Sequence, residues 1–129
     1  MNFKDYFSGH AESYKTFRPT YPAELFSYLA DIAPGRRYAW DCACGNGQAT
    51  VALAEHFDGV IGTDASEQQI AAAEQRANVT YRVAAAERSG VAEHSLDLVT
   101  VAQAVHWFDL PAFFTEVRRV VRPGGVLAI

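Results

Sequence analysis

The chain has 129 residues, half of them hydrophobic and a fifth charged, with a formal net charge of −4. That balance fits one folded domain around one core, and it excludes a disordered chain. The cations are scattered, with Arg36/Arg37 and Arg118/Arg119 the only basic doublets, so the concentrated basic face of a nucleic-acid binder is missing.

No apolar run approaches the roughly 20 residues of a membrane span. Met1-Asn2-Phe3-Lys4-Asp5 has no apolar core of a signal peptide, so the cytoplasm is the expected compartment and no membrane partner is expected. Residues 10–17 read as a short helix carrying Tyr14 and Phe17. Arg18-Pro19-Thr20-Tyr21-Pro22 then forms a rigid connector, because each proline fixes its own backbone and restricts the residue before it. Pro22 suits the first turn of a helix over about 22–33, buried along Leu25, Phe26, Leu29 and Ile32 and stopped by Pro34-Gly35.

From residue 38 strands and helices alternate. Tyr38–Cys42 reads as strand one, followed by a helix over about 47–56 with Val51, Leu53, Ala54 and Phe57 inward. Strand two is Gly59–Thr63, and Ser66-Glu67-Gln68-Gln69 is a capping box opening a helix to about Arg76. Strand three is Val79–Ala84. Strand four, Leu96–Ala102, is a near-continuous apolar run of the kind covered on both faces. Asp109 can cap a helix over 110–121, Arg122-Pro123-Gly124-Gly125 reads as a turn, and Val126–Ile129 begins strand five. This alternation predicts an α/β fold, a doubly wound, mostly parallel sheet with helices on both faces. The chain ends inside that strand, leaving an edge and a face to be covered; a homodimer and strand exchange are two candidate covers.

The segment Trp40-Asp41-Cys42-Ala43-Cys44-Gly45-Asn46-Gly47 is a strand running into an acidic, glycine-containing turn, and Ile61-Gly62-Thr63-Asp64 ends the next strand on an acid. That unit suits an adenosine-containing ligand: small residues admit close approach, and the second acid can hold both ribose hydroxyls. The dinucleotide fingerprint wants a third glycine where Thr50 stands, and no Walker loop is present. Asp41 before the turn would repel phosphate and favour an ammonium or sulfonium group. S-adenosylmethionine meets both conditions. Cys42 and Cys44 lie too close in sequence for an unstrained disulfide and are expected to be reduced. With the four histidines dispersed, no metal site is expected.

Asp41–Gly47, Gly62-Thr63-Asp64-Ala65-Ser66 and Val121-Arg122-Pro123-Gly124-Gly125-Val126-Leu127 resemble the successive motifs of class I S-adenosylmethionine-dependent methyltransferases. The Phe7–Pro22 lead-in and the Leu96–Asp109 segment, with Gln103-Ala104-Val105-His106-Trp107-Phe108, are similar to the type 11, trans-aconitate methyltransferase-like small-molecule branch. The resemblance implies a Rossmann-like sheet of order 3-2-1-4-5, here lacking the usual last two strands. It also implies one core domain over 1–129, with a helical cap or lid over 1–35 and the cofactor-binding core over 36–129. Asp41, Ala43, Gly45 and Gly47 would face the methionine part of the cofactor, Asp41 near its ammonium. Ala43 replaces a common glycine, conservatively if its backbone dihedral is ordinary. Asp64 would bind the ribose, Ala65 would lie near the adenine, and Ala86 and Glu87 would meet the adenine edge. Gln103 and Ala104 would flank the methionine and the methyl group. Trp107, Tyr14 and Arg18 would complete the cofactor site, Arg18 near the carboxylate.

His106 is the expected catalytic residue, a base for a hydroxyl or carbon-acid acceptor and a positioning group for a carboxylate. The expected activity is methyl transfer to a small-molecule acceptor, with a carboxylate or hydroxyl oxygen favoured. The rivals are a non-catalytic S-adenosylmethionine-binding module and a nicotinamide-dependent oxidoreductase.

Overall fold

The computed structural model describes residues 21–129 apart from residue 103. The expected helix at 10–17, and Tyr14, Arg18 and Gln103, lie outside the described residues. Five parallel strands form one sheet in the order β3-β2-β1-β4-β5, as the alternation of elements predicts. They are β1 (Tyr38–Cys42), β2 (Gly59–Asp64), β3 (Val79–Val83), β4 (Leu96–Val101) and β5 (Val121–Ala128). Among the described residues the helices are α1 (Ala23–Ile32), α2 (Gln48–Ala54), α3 (Glu67–Ala71) and α4 (Leu110–Val120), with a 3-10 turn at Val105–Trp107. Among the described residues no helix is long and apolar enough to cross a membrane.

Two apolar layers sandwich the sheet. On one face Phe26, Leu29 and Ala30 of α1 and Leu53 of α2 pack with Phe57 on Ala39, Val60 and Leu98. On the other, Phe113, Val117 and Val120 of α4 pack on Trp40, Cys42, Val99 and Val101. Trp40 meets Phe113 edge-on at 6.2 Å between ring centroids, and its indole N–H donates to Thr63 Oγ1 at 2.9 Å. β4 is buried at all six positions, which explains its continuous apolar reading.

The end of α3 and the start of β5 depart from expectation. α3 stops at Ala71 rather than near Arg76. It has no buried residue, so no apolar stripe holds a longer helix. The chain beyond it is instead tied to the glycine turn: the Glu74 amide donates to the Asn46 carbonyl at 3.0 Å. Between β3 and β4 the chain crosses without a helix, as a loop over residues 84–95. Strand five begins at Val121, and Arg122–Gly125 is an irregularity inside it, since register shifts between Leu96↔Val121 and Leu98↔Val126.

Two buried acids fasten the parts that lack helical packing. Asp97, fully buried in β4, accepts from the Arg37 amide at 2.8 Å and pairs with Arg122 at 2.5 Å. Glu116 of α4 accepts from the Ser89 amide and hydroxyl at 2.9 and 2.6 Å and from both ends of the Arg119 fork. Bonding by Arg119, opposed by burial and assisted by Ser89, lowers the Glu116 carboxyl from 4.5 to about 2. A depressed acid stabilises the fold above its unfolded value and loses that contribution as pH falls through its folded value. The stability gap between the native chain and Glu116→Gln is therefore expected to be full above pH 4.5 and to close toward pH 2. Urea titrations at stepped pH check this; a gap that stays constant across that window contradicts it.

Candidate cofactor site at the carboxyl ends of the strands

The sheet's order reverses at β1, with β2 on one side and β4 on the other. In open parallel sheets ligands bind at such a reversal, outside the carboxyl ends of the strands. The turn after β1 lies there. Ala43 has φ +56°, Gly45 φ +58° and Gly47 φ +91°, so three alternate residues take the left-handed conformation. The Cys44 amide donates to the Thr63 carbonyl at 2.8 Å, which stitches the turn to the end of β2.

The Ala43 dihedral is therefore not ordinary, and the alanine is not a neutral replacement for glycine. Relief of about 1–2 kcal/mol of left-handed strain outweighs the roughly 0.4–1 kcal/mol of unfolded-state entropy that glycine restores. Ala43→Gly is expected to stabilise the fold by about 0.5–1 kcal/mol. Thermal denaturation checks it, and a lowered melting temperature counts against the strain.

The glycines of the turn differ in what they face. A side chain at Gly45 would meet only the Gln69 amide oxygen, at 3.9 Å; this position opens outward and admits close approach of a ligand. A side chain at Gly47 would collide with the Tyr81 hydroxyl, and one at Gly62 would meet Tyr81 Cδ1 at 2.8 Å. Tyr81 fills the space behind the turn, and its hydroxyl donates to the Glu74 carbonyl at 2.6 Å. This buttress escaped the sequence reading, because it depends on the Gly62↔Tyr81 register of β2 and β3.

Asp64 ends β2. Its Oδ2 accepts from the Gly45 amide and its Oδ1 from the Ser66 amide, both at 2.9 Å. Ser66 Oγ in turn accepts from the Gln69 amide at 3.2 Å and caps α3. An ionised carboxylate has about four acceptor positions, so Asp64 keeps capacity for two more donors such as vicinal hydroxyls. Ala65 beside it is exposed.

Asp41 lies under the turn, 2% exposed. Thr50 Oγ1 donates to its Oδ2 at 2.7 Å and Thr100 Oγ1 to its Oδ1 at 3.0 Å. Burial, offset in part by these hydroxyls and reinforced by Asp64, raises Asp41 from 3.8 to about 6. Cys44 is half-buried, its thiol pushed up to about 12 by burial and then by Asp41 and Asp64, and Cys42 is pushed higher for the same leading reason. Both cysteines are free thiols and are protonated at neutral pH. Thr50 and Thr100 were missed as site residues; the available signal was a hydroxyl where the fingerprint wants a third glycine.

The remaining expected residues lie along the rim. Ala86 is buried in the layer under α4. Glu87 accepts from the Asp109 amide at 2.8 Å, while Asp109 Oδ1 accepts from the Ala112 amide and caps α4. Ala104 packs against the same layer, and its carbonyl accepts from the Trp107 amide at 3.0 Å. His106 and Trp107 stand exposed in the 3-10 turn after β4, their rings 4.8 Å apart between centroids, with Trp107 59% accessible. The structure thus brings Asp41, Gly45 and Asp64 together at the turn and sets His106 and Trp107 beyond β4.

Comparison with known proteins agrees with this architecture. Residues 40–129 match the methyltransferase domain family. A protein of Dictyostelium discoideum bearing a methyltransferase name is 48% identical over 98% of this chain and 49% of its own length. A Saccharomyces cerevisiae protein named as an S-adenosylmethionine-dependent methyltransferase is 31% identical over 97% of this chain and 45% of its own. A solved structure of a type II methyltransferase so named from Anaeromyxobacter dehalogenans superposes with a TM-score of 0.84 at 50% identity, over 87% of this chain and 48% of that one. The chain spans about half the length of these relatives. With the sheet order, the acid-ended turn and the family match in agreement, the chain belongs to the class I S-adenosylmethionine-dependent methyltransferases, whose cofactor is S-adenosylmethionine.

Proposed function

We propose that the protein transfers the methyl group of S-adenosylmethionine to an oxygen of a small-molecule acceptor, a carboxylate or a hydroxyl. The observation that carries the cofactor placement is the Asp64 carboxylate, which ends β2 beside the open Gly45 and has acceptor capacity left for two hydroxyls. In this reading Asp64 holds the ribose, Ala65 and Ala86 border the adenine, and Gly45 allows the methionine part to approach the backbone. Asp41 supplies negative charge from beneath. Gln103 and Ala104 are the residues assigned to the methyl group, and Tyr14 and Arg18 are assigned to the cofactor's methionine end.

The bound cofactor supplies a carbon already activated by its sulfonium, so what the protein must add is proximity, alignment and exclusion of water. Trp107 offers an exposed apolar face next to the end of β4, suited to seating an acceptor. His106 beside it takes the proton of a hydroxyl acceptor, or donates a hydrogen bond to a carboxylate that has none to lose. Glu87 borders the same rim through its bond to Asp109. The mild negative charge and scattered cations favour a small acceptor over a nucleic acid.

Single-turnover transfer from labelled S-adenosylmethionine to a panel of small carboxylic acids and alcohols tests the proposal. Label in an ester or ether, reduced at least tenfold in His106→Ala for hydroxyl acceptors only, is the expected result. Tight cofactor binding with no transfer to any acceptor would instead mark a binding module.

A further inference from the structure

Thr100, Asp41, Gly62 and Tyr81 are register partners across β4, β1, β2 and β3. They form one row on the sheet face that α2 covers, directly under the glycine turn. Asp41 is the acid of that row, and each of its oxygens accepts one hydroxyl, one from α2 and one from β4. A buried carboxylate held by two neutral donors is costly unless a positive charge comes near it. Among the described residues no Lys or Arg bonds to it. The groups that face it are Thr50 of α2, Thr100 of β4, Cys44 of the turn, Asp64 of β2 and Tyr81 of β3, alongside Cys42 of its own strand. None of these is cationic.

We propose that Thr50 and Thr100 are positioning residues for the cofactor's cationic end. They hold the Asp41 carboxylate ionised and fixed beneath the turn, so that its charge meets the ammonium of the bound cofactor. The inference rests on S-adenosylmethionine being the ligand of this turn. A hydroxyl donating to a carboxylate favours the charged form, and two donors from different elements fix where that charge sits. The product keeps the ammonium, so the fixed anion acts alike on S-adenosylmethionine and S-adenosylhomocysteine.

The sign follows from burial. An acid whose folded value lies above its unfolded value stabilises the fold fully below pH 3.8 and loses that contribution as pH rises through about 6. Ionised Asp41 is thus held at neutral pH at some cost to stability, and a cationic ligand recovers it. Cofactor affinity should weaken by up to about tenfold per unit as pH falls below that midpoint, with proton uptake by Asp41 opposing binding.

The test is calorimetric titration of the protein with S-adenosylmethionine and S-adenosylhomocysteine between pH 5 and 8, in Thr50→Val, Thr100→Val and Asp41→Asn. In each valine variant the midpoint for S-adenosylmethionine is expected to move up by about one unit. The midpoint for S-adenosylhomocysteine should move with it, and the serine variants should restore both. Asp41→Asn should bind with a flat profile. Valine variants that bind more weakly at every pH, with both midpoints unchanged, would reduce the threonines to packing and overturn the proposal. Should a valine variant fail to fold, the native protein decides: proton release on binding at pH 6 near half an equivalent supports the proposal, and none overturns it. No binding of S-adenosylmethionine at any pH overturns the cofactor assignment as well, which separates the two failures.

Discussion

Asp64→Ala is expected to lose about two orders of magnitude in affinity for S-adenosylmethionine while keeping the fold. Each hydrogen bond to a charged acceptor contributes about 1.5–3 kcal/mol, and two ribose hydroxyls on one carboxylate give roughly 3 kcal/mol or more, which is about 100-fold. The loss is compounded because the Gly45 and Ser66 amides lose their acceptor together. Both lie at the surface end of the strand, where water can replace the carboxylate, so the stability cost should stay near 1 kcal/mol. Asp64→Asn keeps one carbonyl oxygen and should fall between. Binding of Asp64→Ala within threefold of the native chain, measured by calorimetry, would remove Asp64 from the site.

The largest effect on stability is expected from Asp97→Ala. This carboxylate is fully buried at the amino end of β4 and gathers the Arg37 and Tyr38 amides and the Arg122 guanidinium. Its removal strands a partly buried cation and two amides at the start of β1. Breaking a buried pair from one side costs about 3–5 kcal/mol, or a drop in melting temperature on the order of 10 °C or more for a chain of this size. Asp97 sits at the opposite end of the parallel sheet from the turn. Cofactor affinity, measured well below the lowered transition, should therefore be unchanged. A melting temperature within about 2 °C of the native value would show that Arg122 and the amides find other partners.

The architecture was legible in the sequence because its signals are local. Apolar runs, the Pro34-Gly35 stop after α1, and Asp64 closing an apolar strand lie within a few residues of what they determine. The strand order then follows from how parallel units connect. What was not legible depends on register or on distant partners. Asp97 stood inside an apolar run, and nothing near it in sequence announces Arg37, some 60 residues away. Tyr81 read as one more strand residue until pairing set it against Gly62 and Gly47. The capping box correctly opened α3, but the helix ended early because Glu74 is held by Asn46 across the fold. Ala43 looked conservative because a small side chain says nothing about the sign of φ. The motif marks Asp41 as an acid under the turn, but the two threonines that bond it come from two other elements, which no local pattern announces.

That the acid-ended glycine turn holds S-adenosylmethionine is the proposal on which the rest of the site depends. The most direct measurement is calorimetric titration of the chain with S-adenosylhomocysteine and, in parallel, with NAD. Saturable binding of S-adenosylhomocysteine that Asp64→Ala weakens about 100-fold, with no heat from NAD, is the predicted result. Binding of NAD with no binding of S-adenosylhomocysteine would contradict it.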